Sequence, residues 1–202
     1  MSDDLELLAA WRDGNAGAGN QLFRRHFDSI YSFFRGKIGA EAEDLTQETF
    51  HALVRNRETV GAAQSFRGYL FATARNKLYD ALRSRLGANR VWDPLSESLA
   101  AQGASPSRAV AARREQQLLV EALRRLPIDL QIIVELHYIE QMRGPELAEA
   151  LELPEGTVRS RLRRALEQLR ERMNELTDDA GLVGTTLSDL SRWAAEIRAA
   201  GH

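Results

Sequence analysis

GPELAEALELPEGTVRSRLRRALEQL, residues 144–169, is the stretch whose reading decides the fold. It holds a short periodic run around Leu147-Ala148, a break at Glu152 to Pro154, and a longer run rich in arginine. On a 100° wheel Val158, Leu162, Ala165, Leu169 and Met173 fall on one side, and Arg159, Ser160, Arg163 and Arg170 on the other. A short helix, a tight turn and a longer helix with one packing face and one basic face is the layout of a helix-turn-helix. An arginine fork on the free face can bridge guanine O6 and N7 in a major groove, and Ser160 near the helix start can hydrogen-bond a base or a phosphate. A bare charge run more often is a solvated face, here with Glu155, Glu167 and Glu171 as partners; the order of helix, turn and arginines favours DNA. Glu152 stands at the turn, where such motifs often place glycine to accept a left-handed backbone, and a non-glycine residue there costs about 1 kcal/mol.

Outward from this stretch, helices are expected over 111–126, 128–139, 144–151 and 154–176, with Pro127 and Pro154 where a helix can begin. Upstream, apolar residues recur at three- and four-residue steps in Leu22, Phe23, Phe27, Ile30, Tyr31 and Phe34, then in Leu45, Thr49 and Leu53. Breaks fall at Asp13-Gly14-Asn15 and at 36–40, a loop is expected over 56–64, and a long helix over 65–86. No strand alternation competes, so the fold class is all-α. Residues 87–112, with Gly, Ala, Ser, Pro94 and Pro106 and no period, have linker composition. The expected division is a first helical domain over 1–86, a linker over 87–112, a second helical domain over 113–176, and an extension over 177–202. In the extension a short amphipathic helix is expected over 186–200, with Leu187, Leu190, Trp193 and Ile197 as its apolar stripe.

Composition narrows the function. With no cysteine and with His26, His51, His137 and His202 scattered, neither a disulfide framework, thiolate chemistry nor a cysteine-bearing zinc site can be built. The first residues, Met-Ser-Asp-Asp-Leu-Glu, are acidic, and no apolar run approaches the roughly 18 residues that cross a bilayer. A soluble cytoplasmic protein without membrane insertion is expected. The net charge of −2 conceals blocks of opposite sign: Glu41, Glu43, Asp44 and Glu48, then the basic series Arg67, Arg75, Lys77, Arg83, Arg85 and Arg90, and a second basic cluster from Arg159 to Arg172.

Two segments together resemble bacterial RNA polymerase sigma factors of the sigma-70 family, in the small extracytoplasmic-function group that keeps only the second and fourth conserved regions. The resemblance covers about residues 5–176. It rests on Glu43-Asp44-Leu45-Thr46-Gln47-Glu48-Thr49-Phe50, then Ser65-Phe66-Arg67-Gly68-Tyr69-Leu70 and Ala74-Arg75-Asn76-Lys77-Leu78-Tyr79-Asp80-Ala81-Leu82-Arg83, and later on Leu126-Pro127, Glu146-Leu147-Ala148 and Gly156-Thr157-Val158-Arg159-Ser160-Arg161-Leu162.

The resemblance implies that Asp44, Gln47, Glu48 and Phe50 dock on the β′ clamp helices of core RNA polymerase, whose β subunit is also a partner. It implies that Ser65, Phe66, Arg75, Asn76 and Arg83 face the −10 promoter element, Asn76 reading an unstacked base while Arg75 and Arg83 meet phosphates. A base trap suits promoter opening, because flipping a base costs a few kcal/mol that a pocket must return. Thr157, Arg159, Ser160, Arg163 and Arg164 would contact the −35 element. Promoter DNA and core polymerase are thus the implied partners, an anti-sigma protein is a further one, and no cofactor or metal is implied. The stretch 58–64 lacks the charged and aromatic residues that the family often has there, and Tyr69 stands where tryptophan is usual.

Two other readings compete with this one. A nucleotide-using enzyme needs a phosphate cradle. Gly17-Ala18-Gly19 has Leu22 where the third fingerprint glycine belongs, and Gly36-Lys37 is followed by Ile38 where a P-loop needs Ser or Thr, so these glycines read as turn residues. A helix-turn-helix regulator that is not a polymerase subunit explains residues 144–169 equally well and leaves the Asp44-Gln47-Phe50 helix unexplained.

Overall fold

The Asp13-Gly14-Asn15 break separates two helices by distinct means. Gly14 adopts φ 97°, which suits glycine alone, and Asn15 caps the next helix by accepting from the Ala18 amide at 3.1 Å. The computed structural model describes residues 3–60, 65–86, 93–95, 98–99, 114–192 and 194–195. The regular elements among them are helical: α1 (Asp4–Arg12), α2 (Ala16–Ile38), α3 (Ala42–Arg55), α4 (Arg57–Val60), α5 (Phe66–Leu86), α6 (Arg114–Arg125), α7 (Ile128–Val134), α8 (Gly144–Leu151), α9 (Glu155–Leu176) and α10 (Ala180–Ser188). They fall into two compact units, Met1–Ala88 with Arg143–Pro154, and Asn89–Met142 with Glu155–His202.

In the first unit α2 buries Leu22, His26, Ile30, Phe33, Phe34 and Lys37, a stripe at three- and four-residue steps. Lys37 is buried to its tip, its ammonium donating to Phe33 O at 2.8 Å and lying 3.8 Å from the centre of the Phe33 ring. Against the expectation of turn residues, the stretch Gly17 to Gly19 lies in the first turns of α2. Gly19 is the point where α1 crosses, and a Cβ there would sit 2.5 Å from Trp11 Cδ1. Gly36 likewise stays helical, and the break comes at Gly39 with φ 69°. Asp4 on α1 bonds Arg25 and, at 2.7 Å, His26 Nε2. Burial pushes the His26 imidazole below its ordinary value, with the Asp4 carboxylate pulling the other way.

α3 turns Leu45, Thr46, Thr49, Phe50 and Leu53 inward. Its buried threonines return their hydroxyls to Ala42 O and Leu45 O, each at 2.7 Å. The expected loop over 56–64 contains a helical turn, α4, whose Val60 is fully buried; apolar anchoring of Val60 outweighs the weak local period. Residues 61–64 lie outside the described set. Ser65 caps α5, its hydroxyl accepting from Gly68 N at 3.1 Å. Phe66, Leu70, Phe71, Ala74, Leu78 and Leu82 make α5 the centre of this unit, packed by α3, α2 and α8.

In the second unit α6, α7 and α9 share an aliphatic core: Leu118, Leu119, Ala122 and Leu126, then Ile128, Leu130, Ile132 and Ile133, then Val158, Ala165, Leu169 and Met173. The expected helix over 128–139 changes form at Glu135–Ile139, a wide turn closed by Glu140 N to Glu135 O at 3.1 Å. Part of the stretch expected to be linker adheres here: Asp129 N donates to Pro94 O at 3.1 Å, Ser98 pairs with Pro127, and Leu99 is fully buried. The extension holds a helix earlier than expected, and residues 190–192 and 194–195, inside the expected 186–200, are helical as well. Asp179 caps α10 by accepting from Leu182 N at 2.9 Å, the helix ends at Ser188, and Val183, Thr186 and Leu190 bury against this unit's core. Leu187 is half-buried. Trp193 and Ile197 lie outside the residues whose side chains are described.

Candidate nucleic-acid interface

α9 divides as the wheel predicts. Val158, Ala165, Leu169 and Met173 are buried, Leu162 is half-buried, and Arg159, Ser160, Arg163, Arg164 and Arg170 are exposed. Arg163 is 79% exposed and reaches Glu167 at only 3.8 Å, a contact too loose and wet to hold it back from another partner. Ser160 returns its hydroxyl to Thr157 O at 2.9 Å, and Thr157 is half-buried in the first turn. Arg161 bonds Asp129 at 3.1 Å and so ties α9 to α7; it belongs to the scaffold. The residue before Leu153-Pro154 is left-handed as anticipated: Glu152 has φ 53° and ψ 43°.

The second surface is the outer side of α3. Asp44, Gln47 and Glu48 are exposed together with Glu43 and His51. Part of this acidity is answered within the unit, by Lys77 of α5 on Glu48 at 2.9 Å and by Arg85 on Glu41 at 2.7 Å. Those pairs relate two of the opposite charge blocks in the sequence. Phe50 is only 7% exposed; it sits 5.0 Å from Phe23 and 6.1 Å from Phe27, centre to centre. In this arrangement Phe50 supports the surface from inside, and the aromatic beside it that faces water is Phe27, 39% exposed. Val54 on the last turn of α3 is exposed as well.

The third surface lies on α5. Asn76 and Arg83 are exposed, with Arg83 on Asp80 at 2.9 Å. Phe66 is buried beside His26, ring centres 5.4 Å apart. Ser65 and Arg75 are covered by α8. Ser65 N donates to Glu149 at 2.8 Å and its hydroxyl to Glu146 at 3.0 Å; Arg67 reaches Glu146 at 3.5 Å. Arg75 bonds Glu152 and donates to Ala150 O at 3.1 Å, with the Tyr79 ring 5.6 Å away. The geometry thus brings Ser65 and Arg75 together with an acidic row, while Asn76 and Arg83 face outward. The sequence reading uses Glu146 only within the Glu146-Leu147-Ala148 motif and Glu152 only at the turn, and gives Glu149 no role, although the spacing of three sets Glu146 and Glu149 on one side of α8.

These surfaces can be set beside known proteins. Residues 22–86 match Sigma-70 region 2, and residues 116–169 match Sigma-70, region 4. The RNA polymerase sigma factor CarQ of Myxococcus xanthus is 30% identical over 171 residues, covering 84% of this chain and 97% of that protein. The ECF RNA polymerase sigma factor SigW of Bacillus subtilis is 26% identical over 175 residues, covering 82% and 94%. Among solved structures, the sigma factor RpoE in complex with the anti-sigma factor NepR from Bartonella quintana aligns with a TM-score of 0.59 at 20% identity, over 77% of this chain and 96% of that one, a likeness of fold.

Proposed function

The chain belongs to the sigma-70 family of RNA polymerase sigma factors, in the extracytoplasmic-function group, and we propose from that premise how it divides its work. Proteins of this family bind core RNA polymerase, recognise promoters and initiate transcription without being enzymes themselves. In the proposed division residues 1–86 hold core polymerase and the −10 element, 87–112 connect, 113–176 hold the −35 element, and 177–202 extend the second domain. The observation that carries this reading is the coexistence on one chain of an outward acidic α3 face and an outward arginine row on α9, each within a sigma-region match.

On α3, Asp44, Gln47 and Glu48 offer carboxylates and an amide to the β′ clamp helices, with Phe50 underpinning them and Phe27 at the border. On α9, Arg159, Arg163 and Arg164 reach base edges and phosphates of the −35 element, with Ser160 and Thr157 at the helix start. On α5, Asn76 reads a base of the opened −10 strand, Arg83 and, once uncovered, Arg75 hold its phosphates, Ser65 stands at the start of that surface, and the buried Phe66 supports it from inside. The β subunit, and an anti-sigma protein by analogy with RpoE and its NepR, complete the proposed partners. The chain itself carries no reaction, requires no cofactor and works in the cytoplasm; among the described residues no helix is long and apolar enough to cross a membrane. A helix-turn-helix regulator acting apart from polymerase leaves the α3 face and the region 2 match unexplained.

The test measures two affinities for two variants. Arg163→Ala loses about 1–3 kcal/mol in binding to upstream promoter DNA and keeps its affinity for core polymerase. The Asp44→Ala/Gln47→Ala variant does the reverse. Equal losses in both assays for both variants would overturn the division, as would failure of the wild-type protein to direct any transcript with core polymerase.

A further inference from the structure

α8 carries Glu146 and Glu149, and Glu152 follows at its C-terminal cap; each of these three carboxylates meets a donor on or beside α5. Glu146 takes the Ser65 hydroxyl and Arg67, Glu149 takes the Ser65 amide, and Glu152 takes Arg75. A backbone N–H at a helix start, a hydroxyl and guanidinium groups are the donors that proteins commonly present to a nucleic-acid backbone. We propose that the row Glu146, Glu149 and Glu152 is an internal stand-in for DNA, occupying the −10 surface of α5 so that the free protein keeps that surface closed until α8 is withdrawn. The inference rests on the reading of α5 as the −10 surface and adds its regulation.

Two local features favour a built contact over incidental packing. Gly68 lies beneath Glu149: a Cβ there would stand 2.6 Å from a Glu149 carboxylate oxygen and 3.0 Å from the Glu149 Cβ. The position is kept bare where α8 comes closest. Glu152 holds a left-handed backbone that a glycine would adopt without strain, and in exchange its side chain reaches Arg75, which is buried under Ala150 and Glu152. A glycine at that position would relieve the backbone and leave the guanidinium without this carboxylate.

The consequence is mutual exclusion. A DNA strand and α8 compete for Ser65, Arg67 and Arg75, so the apparent affinity of the free protein for the strand is lowered by the fraction of molecules that are open. α8 is also the first helix of the helix-turn-helix. Its use at the −35 element removes it from α5, which couples recognition of one promoter element to exposure of the surface for the other.

The absence of native cysteine makes the test clean. In the full chain, Gly68→Cys with Glu149→Cys gives a unique pair whose Cβ atoms need to part by only a few tenths of an ångström to reach disulfide geometry. The oxidised protein, freed of oxidant, is compared with its reduced form in two assays: transcript yield with core polymerase on pooled genomic fragments, and binding of the free protein to fluorescent single-stranded DNA of random sequence. The proposal expects a locked α8 to leave almost no open fraction, so that both readouts fall by more than about tenfold on oxidation and recover with dithiothreitol. Equal single-strand affinity in the two forms would overturn it.

A second variant needs no cross-link. Glu146→Gln/Glu149→Gln/Glu152→Gln keeps shape and removes the charge, and is expected to bind the same single-stranded DNA several-fold more tightly than wild type; unchanged affinity refutes the mimicry. Asn76→Ala in the reduced cysteine background separates the two levels. If it leaves transcription intact, the −10 reading of α5 fails. If it lowers transcription while oxidation changes neither assay, that reading stands and the closing of α5 by α8 fails.

Discussion

On α9 Arg159, Arg163, Arg164 and Arg170 face water, whereas on α5 Arg75 is buried with its charge met by Glu152 and its terminal nitrogens donating to Ala150 O and Asn76. Both helices are long and basic, and the difference lies in what packs on them. α9 buries one stripe and leaves the opposite side bare. α5 is wrapped by α2, α3 and α8, so that apolar residues point inward at nearly every angle and its cations are met by acids of neighbouring helices, Lys77 by Glu48 and Arg85 by Glu41. Arginine content alone therefore does not locate a nucleic-acid surface; the acidic residues that share the same neighbourhood decide whether the charge is available.

Stability offers the sharpest way to break this contrast. Leu78 of α5 is fully buried, and Leu78→Ala should cost about 2–5 kcal/mol through lost burial and the cavity left behind. Arg163→Ala on the bare side of α9 should stay within about 0.5 kcal/mol. Urea unfolding of both variants checks the pair, and a cost for Arg163→Ala that rivals Leu78→Ala would mean that the arginine row is part of the packing.

Proton linkage sharpens the wrapping at the other end of the first unit. Burial lowers the His26 pKa below the ordinary imidazole value of about 6.5, so the folded protein resists a proton that the unfolded chain accepts. The sign follows: stability from this group is complete above about pH 6.5 and declines as the pH falls through that value toward the lower folded pKa. Thermal midpoints compared at about pH 7.5 and about pH 5.5 should fall for wild type and fall less for His26→Gln. An equal decline in both would assign the effect to other groups.

The smallest effect is expected where α5 does face water. Asp80→Ala should change stability by no more than about 0.5 kcal/mol, because the Arg83–Asp80 pair is largely exposed, at 59% and 71% of the two side chains. Repeating the denaturation at high salt should erase even that difference.

What the sequence made legible was what is local. The α9 stripe, the left-handed Glu152, the limits of α8 and the long α5 all depend on spacing or on a single turn position. The first helix of the extension, α10, is hidden in the sequence because Asp179, its capping residue, stands in an acidic stretch beside Asp178. Gly17 and Gly19 read as turn residues in the sequence because the reason for a glycine at 19, the flank of Trp11, belongs to a different helix. The fate of Arg75 was hidden for the same reason at greater range: its partners Ala150 and Glu152 stand 75 and 77 positions away, and no window along the chain connects them. Phe50 and Phe27 exchange inside and outside across α2 and α3, which a wheel drawn for either helix alone does not resolve.

The wide turn at Glu135–Ile139 has a consequence for how the chain tolerates insertion and deletion. An α-helix advances about 100° per residue, and a turn closed from Glu140 back to Glu135 holds slack that an ordinary turn lacks. Removing one residue there lets the turn tighten to α form, and the phase error of about 100° is absorbed locally, where His137 and Met142 fold back on each other. The same deletion in the first turns of α9, which runs unbroken from Glu155 to Leu176, has no slack to draw on and would rotate the arginine row out of register with the apolar stripe. Length variation in this second unit is thus cheap at 135–139 and ruinous on α9.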